Sequence, residues 1–264
     1  MLKNKFSLLG VAFPRALYRS VAPLLAVLGM AGCATPMGAS PVADSGLTAL
    51  YQQAISSAIR TDDDRKSDPS RKPLDLLQFA GVKPGMQILD VAAGGGTTTQ
   101  LLALVVGSNG KVYAQGATQR TAIEKRLAAN PQPAIVPTVR PFDDPVPAGA
   151  PLLDLVTINL SYHDIANLPI DRLTMNRRLF QALKPGGHVV VIDHAARAGT
   201  GVAETKTLHR IDEAVVRDEF RQAGFALEAS GDYLRNAADA RDRTSAEMER
   251  MSDRFALRFM KPRS

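Results

Sequence analysis

Four short runs in this 264-residue chain carry residue types that could do chemistry. The first spans residues 86–101 and reads MQILDVAAGGGTTTQL. An apolar run ends in Asp90, three glycines follow at 94–96, and threonines lead into Leu101, Leu102 and Leu104. Glycine has no Cβ to hold a ligand off, so a strand, tight turn and helix of this composition bring backbone N–H groups up to a bound molecule. The second run, Ser161-Tyr162-His163-Asp164, sets an imidazole beside a carboxylate, the side chains of general acid–base work. The third is Asp193-His194 and the fourth His209-Arg210, a possible substrate-binding pair. Each has a plainer alternative: Asp164 capping a turn with His163 exposed, His194 bonded to backbone, and His209-Arg210 entering a helix capped by Asp212.

The glycine run is not a dinucleotide fingerprint. That motif needs G-x-G-x-x-G with an acid about 20 residues on, whereas here the spacing differs and Asp90 precedes the glycines. A phosphate loop is excluded because no Lys-Ser/Thr pair follows the glycines. A metal held by His163, Asp164, Asp193 and His194 is conceivable in composition, but no diagnostic ligand spacing is present and none is expected.

These runs must be positioned by regular elements. Apolar residues 47, 50, 51, 54, 55, 58 and 59 repeat at helical spacing and predict an amphipathic helix over 47–60. Residues 62–72 are charged and turn-like, a surface loop or a lid. Pro73 suits the first position of a helix that runs to Ala80 and stops at Gly81. Strands are expected at 86–90, 111–115, 152–159, 188–193, 225–229 and 254–260, and at 135–139 among prolines. Helices are expected from the glycine turn to Val106, and over 118–129, 169–183 and 211–223, with Lys184-Pro185-Gly186-Gly187 as a turn. Strands alternating with helices imply a doubly wound α/β sheet, and the continuous apolar runs at 152–159 and 188–193 suit strands buried on both faces. In such sheets ligands sit at the carboxyl ends of the strands. Asp90, the glycines, Gln115, Asp143, Asn159 and Asp193 all fall there.

The order of these blocks matches one family. ILDVAAGGG, then GKVYAQG, then LDLVTINLSYHD, then LKPGGHVVVID resembles the class I S-adenosylmethionine-dependent methyltransferases over roughly residues 70–264. TLHRID (207–212) and the leader described below resemble an uncharacterised, often exported subgroup. The resemblance implies a mostly parallel seven-stranded Rossmann-like sheet with a terminal antiparallel strand, in a domain over 73–264 preceded by a helix and possible lid over 47–72. It implies S-adenosylmethionine as cofactor, with Gly94 and Gly96 admitting the methionine part, Asp90 acting near its amino group, Phe142 and Asp143 beside the adenine, and Asn159 bordering cofactor and substrate. Ala92 stands where the family has its first glycine. Gln115-Gly116 stands where the family has a ribose-binding carboxylate, leaving Gln115 as a neutral acceptor. His163 is then expected as general base or substrate ligand, with Asp164 orienting it, and Tyr162, His194, His209 and Arg210 lining the substrate site.

Composition bounds the rest. Four of the 32 basic residues, and no acid, lie in residues 1–32, so the remainder is close to charge balance with 26 acidic residues. There is no tryptophan and no aromatic–basic interleaving, which argues against nucleic acid as partner. A small molecule is the expected acceptor. Residues 21–30 form a short apolar run, and Met30-Ala31-Gly32-Cys33 resembles a lipoprotein box, so residues 1–32 are expected as a signal peptide, Cys33 as a lipidated anchor and 33–46 as a tether on the periplasmic side of a membrane. The alternatives are a start downstream, giving a cytoplasmic enzyme, or a catalytically silent binding protein on the same scaffold, because a chain exported unfolded cannot carry a cofactor made in the cytoplasm.

Overall fold

The computed structural model describes residues 45–119, 121–248 and 251–263. The expected signal peptide, the lipidation site at Cys33 and most of the expected tether lie outside the described residues. Seven strands form one sheet: β1 (Gln87–Val91), β2 (Lys111–Gly116), β3 (Ile135–Val139), β4 (Leu153–Asn159), β5 (Leu183–His194), β6 (Ala226–Gly231) and β7 (Arg254–Met260). Their spatial order is β3-β2-β1-β4-β5-β7-β6. Strands β1 to β5 pair in parallel, and β7 runs antiparallel between β5 and β6. The chain therefore reverses its direction of travel across the sheet between β1 and β4, and a ligand crevice opens at that switch.

Two apolar layers cover the sheet. On one side Tyr51 of α1 (Ser45–Ser56), Leu77 of α3 (Pro73–Ala80) and Leu102 of α4 (Thr97–Val106) pack with Ile88, Val112 and Val190. On the other, Met175 and Leu179 of α7 (Arg172–Ala182) and Phe220 of α8 (Glu213–Gln222) pack with Val156, Val191 and Phe255. Phe220 stacks on Phe259 at 4.7 Å between ring centroids. Among the described residues no helix is long and apolar enough to cross a membrane.

Three local expectations are corrected. Residues 62–71 are not a loop but a helix, α2 (Asp62–Arg71): the Thr61 hydroxyl accepts from Asp64 N–H while the Asp64 carboxylate accepts from Thr61 N–H, a reciprocal cap. The run from Lys184 to Gly187 belongs to β5 rather than to a turn, because Gly186 N–H donates to Lys261 O and Lys261 N–H to Gly187 O; against β4 it forms a bulge, with Leu183 opposite Leu153 and His188 opposite Leu155. The helix expected from residue 118 starts later, as α5 (Thr121–Ala129). Pro137 is accommodated because β3 is an edge strand, where a missing N–H leaves no ladder bond broken on the open side.

Candidate active site

The glycine turn leaves β1 and enters α4. Ala92, Gly94 and Gly96 all take left-handed backbone, at φ 54°, 58° and 81°. Gly96 is further constrained because a Cβ there would meet the Ile123 side chain at 3.2 Å. The turn is braced from outside by Arg126 of α5, whose guanidinium donates to Gly95 O at 2.9 Å, to the Gln100 amide oxygen and to both oxygens of Asp64. Asp64 also accepts from the Thr97 hydroxyl at 2.8 Å. Burial works to raise the Asp64 carboxyl, but these donors outweigh it and hold its pKa well below the usual carboxylate range. So α2 is fastened to the turn, and it forms one wall of a cavity of about 710 Å³ with Thr97, Leu160, His194 and Arg254.

Asp90 lies one residue before the end of β1, and its carboxylate accepts from the hydroxyls of Thr99 at 2.6 Å and Thr157 at 2.7 Å. Burial dominates and lifts its pKa to about 6 despite those bonds. Asp90 lines a smaller cavity of about 150 Å³ with Arg71, Ala92, Gly94, Thr98 and Asn159. Asn159 donates to the Thr98 hydroxyl at 3.0 Å, tying the end of β4 to the first turn of α4.

The expected ribose acceptor is already engaged with backbone. Gln115 is fully buried. Its amide oxygen accepts from Ala92 N–H at 3.0 Å, and its amide nitrogen donates to Arg140 O at 2.7 Å. Both functions are used to stitch the turn to the end of β3, so the side chain, which also borders the adjacent cavity, is turned to the backbone. The adjacent cavity, about 200 Å³, is lined by Gly94, Gly116, Thr118 and Gln119, and Glu124 supplies the one carboxylate among its lining residues. Phe142 packs half-buried against the second apolar layer, and Asp143 is exposed on the loop after β3.

The parallel pairing of β4 with β5, Asn159 opposite Ile192, brings the second and third runs together. His163 lies in the short helix α6 (Tyr162–Ile165) and is buried. Its Nδ1 lies 2.7 Å from Asp193 Oδ1, and its N–H donates to Asp193 Oδ2 at 2.8 Å. Asp193 accepts from His194 N–H as well. Asp193 is therefore the carboxylate that orients His163, a role the sequence suggested for Asp164. Asp164 stands on the other side of the ring, its Oδ1 3.3 Å from His163 Nε2. Burial opposes the charged ring, but the two carboxylates outweigh it and raise its pKa to about 10. His163 thus holds its proton at neutral pH. His194 is the opposite case: burial lowers its pKa to about 4, its Nδ1 lies 2.7 Å from Ser252 Oγ, and it lines the large cavity.

His209, at φ 53°, joins the group with Nδ1 3.6 Å from Asp164 Oδ1 and its ring 5.5 Å from that of His163. Two other expected substrate residues do not join it. Arg210 is fully buried and spends its guanidinium on Ala195 O, Arg243 O and Asp239. Tyr162 is fully buried against Phe220, donating to Glu219 and accepting from Asn176. Neither lines a substrate cavity; both hold the scaffold.

Residues 72–205 match the model of the ubiE/COQ5 methyltransferase family. Over 124 residues the chain is 27% identical to the ubiquinone/menaquinone biosynthesis C-methyltransferase UbiE of Ectopseudomonas mendocina (strain ymp), a match covering 44% of this chain and 45% of that protein. The match thus spans less than half the length of this curated relative. The fold is similar to a SAM-dependent methyltransferase from Aquifex aeolicus, at 20% identity and TM-score 0.55 over 76% of this chain and 99% of the other. It is also similar to an S-adenosylmethionine-dependent methyltransferase from Mesorhizobium loti, at 17% identity and TM-score 0.53 over 72% and 97%. At these identities the likeness is one of fold.

Proposed function

Since the chain belongs to the ubiE/COQ5 methyltransferase family and has the class I S-adenosylmethionine-dependent methyltransferase fold, we propose that it transfers a methyl group from S-adenosylmethionine to a small-molecule acceptor. The observation that carries this is the small cavity at the end of β1. Asp90 and Arg71 line it together with Gly94, Thr98 and Asn159, so an acid and a guanidinium border the space that an amino-acid end with its ammonium and carboxylate would fill. The glycine turn lets the backbone approach, and Glu124 takes the ribose hydroxyls in place of the family's carboxylate, since Gly116 has no side chain and Gln115 is engaged. The cofactor supplies an activated methyl group on a sulfonium. What remains for the protein is alignment, which can supply about 7–11 kcal/mol of the barrier. The larger cavity is of the size that holds a small molecule, about 300–1,000 Å³. His194 is the histidine that lines this cavity, and its neutral ring can accept a hydrogen bond from an acceptor that carries a proton, while His163 keeps its own. The silent-scaffold alternative has no comparable support.

We place the enzyme on the periplasmic side of a membrane, held through lipid on Cys33, from the leader alone. Mass spectrometry of the mature N-terminus tests that; a chain retaining residues 1–32 refutes it. Calorimetry with S-adenosylmethionine and its demethylated product tests the function. Saturable binding that Glu124→Gln weakens is the expected result, and no heat at about millimolar ligand, where binding free energy would be below about 4 kcal/mol, overturns the proposal.

A further inference from the structure

His163, Asp164 and His209 present one ligand atom each within 4.8 Å of one another. We propose that these three side chains form a binding site for a tetrahedral divalent ion of the zinc type, with a fourth position open to solvent. The site is distinct from the residues that the cofactor requires, and the inference does not rest on methyl transfer.

The spacing carries the argument. Bonds of about 2.0–2.1 Å to nitrogen and oxygen at tetrahedral angles set neighbouring ligand atoms about 3.4 Å apart. His163 Nε2 to Asp164 Oδ1 is 3.3 Å, and Asp164 Oδ1 to His209 Nδ1 is 3.6 Å. An octahedral ion with bonds of similar length would require edges of about 3.0 Å. Two imidazoles and one carboxylate also match the donor preference of zinc.

The surroundings have the form that metal histidines need. A ligating imidazole usually gives its other ring nitrogen to a carboxylate, which fixes its orientation. Asp193 does this for His163 from a fully buried position, at 2.7 Å from Nδ1 and with a second bond to the same residue's N–H. Two carboxylates, Asp193 and Asp164, flank one ring, and a divalent ion at Nε2 balances both, displacing to solvent the Nε2 proton that His163 holds in the metal-free chain. His209 holds left-handed backbone, an uncommon conformation for a side chain with a Cβ and one that concentrates at functional sites. The Asp164 and His209 side chains are 60% and 53% exposed, so an ion can enter from solvent without unfolding the chain. Asp193 and His194, by contrast, are not ligands: one is occupied orienting His163, and the other faces Ser252. The composition-level set is therefore replaced by one that includes His209.

The test uses the untagged full chain, stripped with a chelator and titrated with Co²⁺ in the absence of any nucleoside. Equimolar binding with the intense visible bands of a tetrahedral ion, bleached by Zn²⁺, is expected. His209→Ala and Asp164→Ala should each abolish the bands, and Asp193→Asn should weaken affinity about 10–100-fold. His209 is half-exposed, so its variant keeps the fold, checked by circular dichroism, even where His163→Ala does not. No saturable band, a weak octahedral spectrum, or a His209→Ala protein that binds as well as the parent would overturn the assignment.

Discussion

Replacing Gln115 by glutamate would supply the carboxylate that the family carries at the end of β2, yet the structure predicts damage rather than a tighter cofactor site. The Gln115 amide accepts from Ala92 N–H and donates to Arg140 O, at a fully buried position. A neutral glutamic acid can reproduce both bonds, with its carbonyl facing Ala92 and its hydroxyl facing Arg140. An ionised one cannot, because its second oxygen would face the Arg140 carbonyl, and a buried acceptor left unpaired costs about 1–3 kcal/mol before the desolvated charge is counted. The side chain is therefore held protonated in the folded state, its pKa raised above the unfolded value of about 4.3. With the folded-state pKa raised, the folded chain binds more protons than the unfolded one, so stability is lost as pH climbs above about 4.3, at about 1.4 kcal/mol per unit. The deficit against the parent is about 1 kcal/mol at pH 5 and about 4 kcal/mol at pH 7. For a domain of this size that corresponds to a fall in Tm of roughly 7–15 °C at pH 7. Thermal unfolding of parent, Gln115→Glu and Gln115→Met at both pH values measures it; the methionine variant loses both bonds and should show the same deficit at each pH. An equal deficit for the glutamate variant at pH 5 and 7, or a tenfold gain in S-adenosylmethionine affinity, would refute the reasoning.

Ala92→Gly should stabilise the chain by up to about 1 kcal/mol, since an alanine at φ 54° carries about 1–2 kcal/mol of strain that a more flexible unfolded chain partly offsets; urea unfolding that shows a loss refutes it. Asp64→Ala strands the Arg126 guanidinium against the glycine turn and should cost about 3–5 kcal/mol, read in the same assay; a loss near zero would show that α2 is not fastened there. In the chelated chain, His163 has a folded pKa of about 10 against 6.5 unfolded, so its contribution to stability is complete below pH 6.5 and is lost as pH rises through 10. Stability should fall by up to roughly 1.4 kcal/mol per pH unit between pH 7 and 9.5, and Asp193→Asn should flatten that slope. An unchanged slope in the variant refutes the pairing.

Much of the fold could be read from the residue order. The buried runs of β4 and β5 have no other use than strands covered on both faces, and Pro73 with Gly81 bracket α3 without ambiguity. Residues 62–71 were opaque because they lack an apolar stripe; the available signal was Thr61 three residues before Asp64, a cap pattern with aspartate in place of the usual glutamate. The site was legible where parallel strands impose adjacency, as they do for the ends of β4 and β5. It was illegible where direction within a residue decides. Nothing in the order of residues shows that Gln115 turns its amide to the backbone, that Arg210 points into the interior, or that Asp193 rather than the neighbouring Asp164 orients His163.

The family match begins at residue 72, one position after α2 ends. The ion pair between Asp64 and Arg126 therefore spans that boundary: the cation belongs to the shared segment and its counter-charge to the stretch before it. Moving residues 72–205 without residues 62–71 would carry over a nearly buried guanidinium without the carboxylate that meets it here. Chimeras that join at the motif boundary should misfold or lose the turn's brace, whereas those that move α2 along with α5 should remain intact. The unit of inheritance around this glycine turn is thus larger than the motif that advertises it.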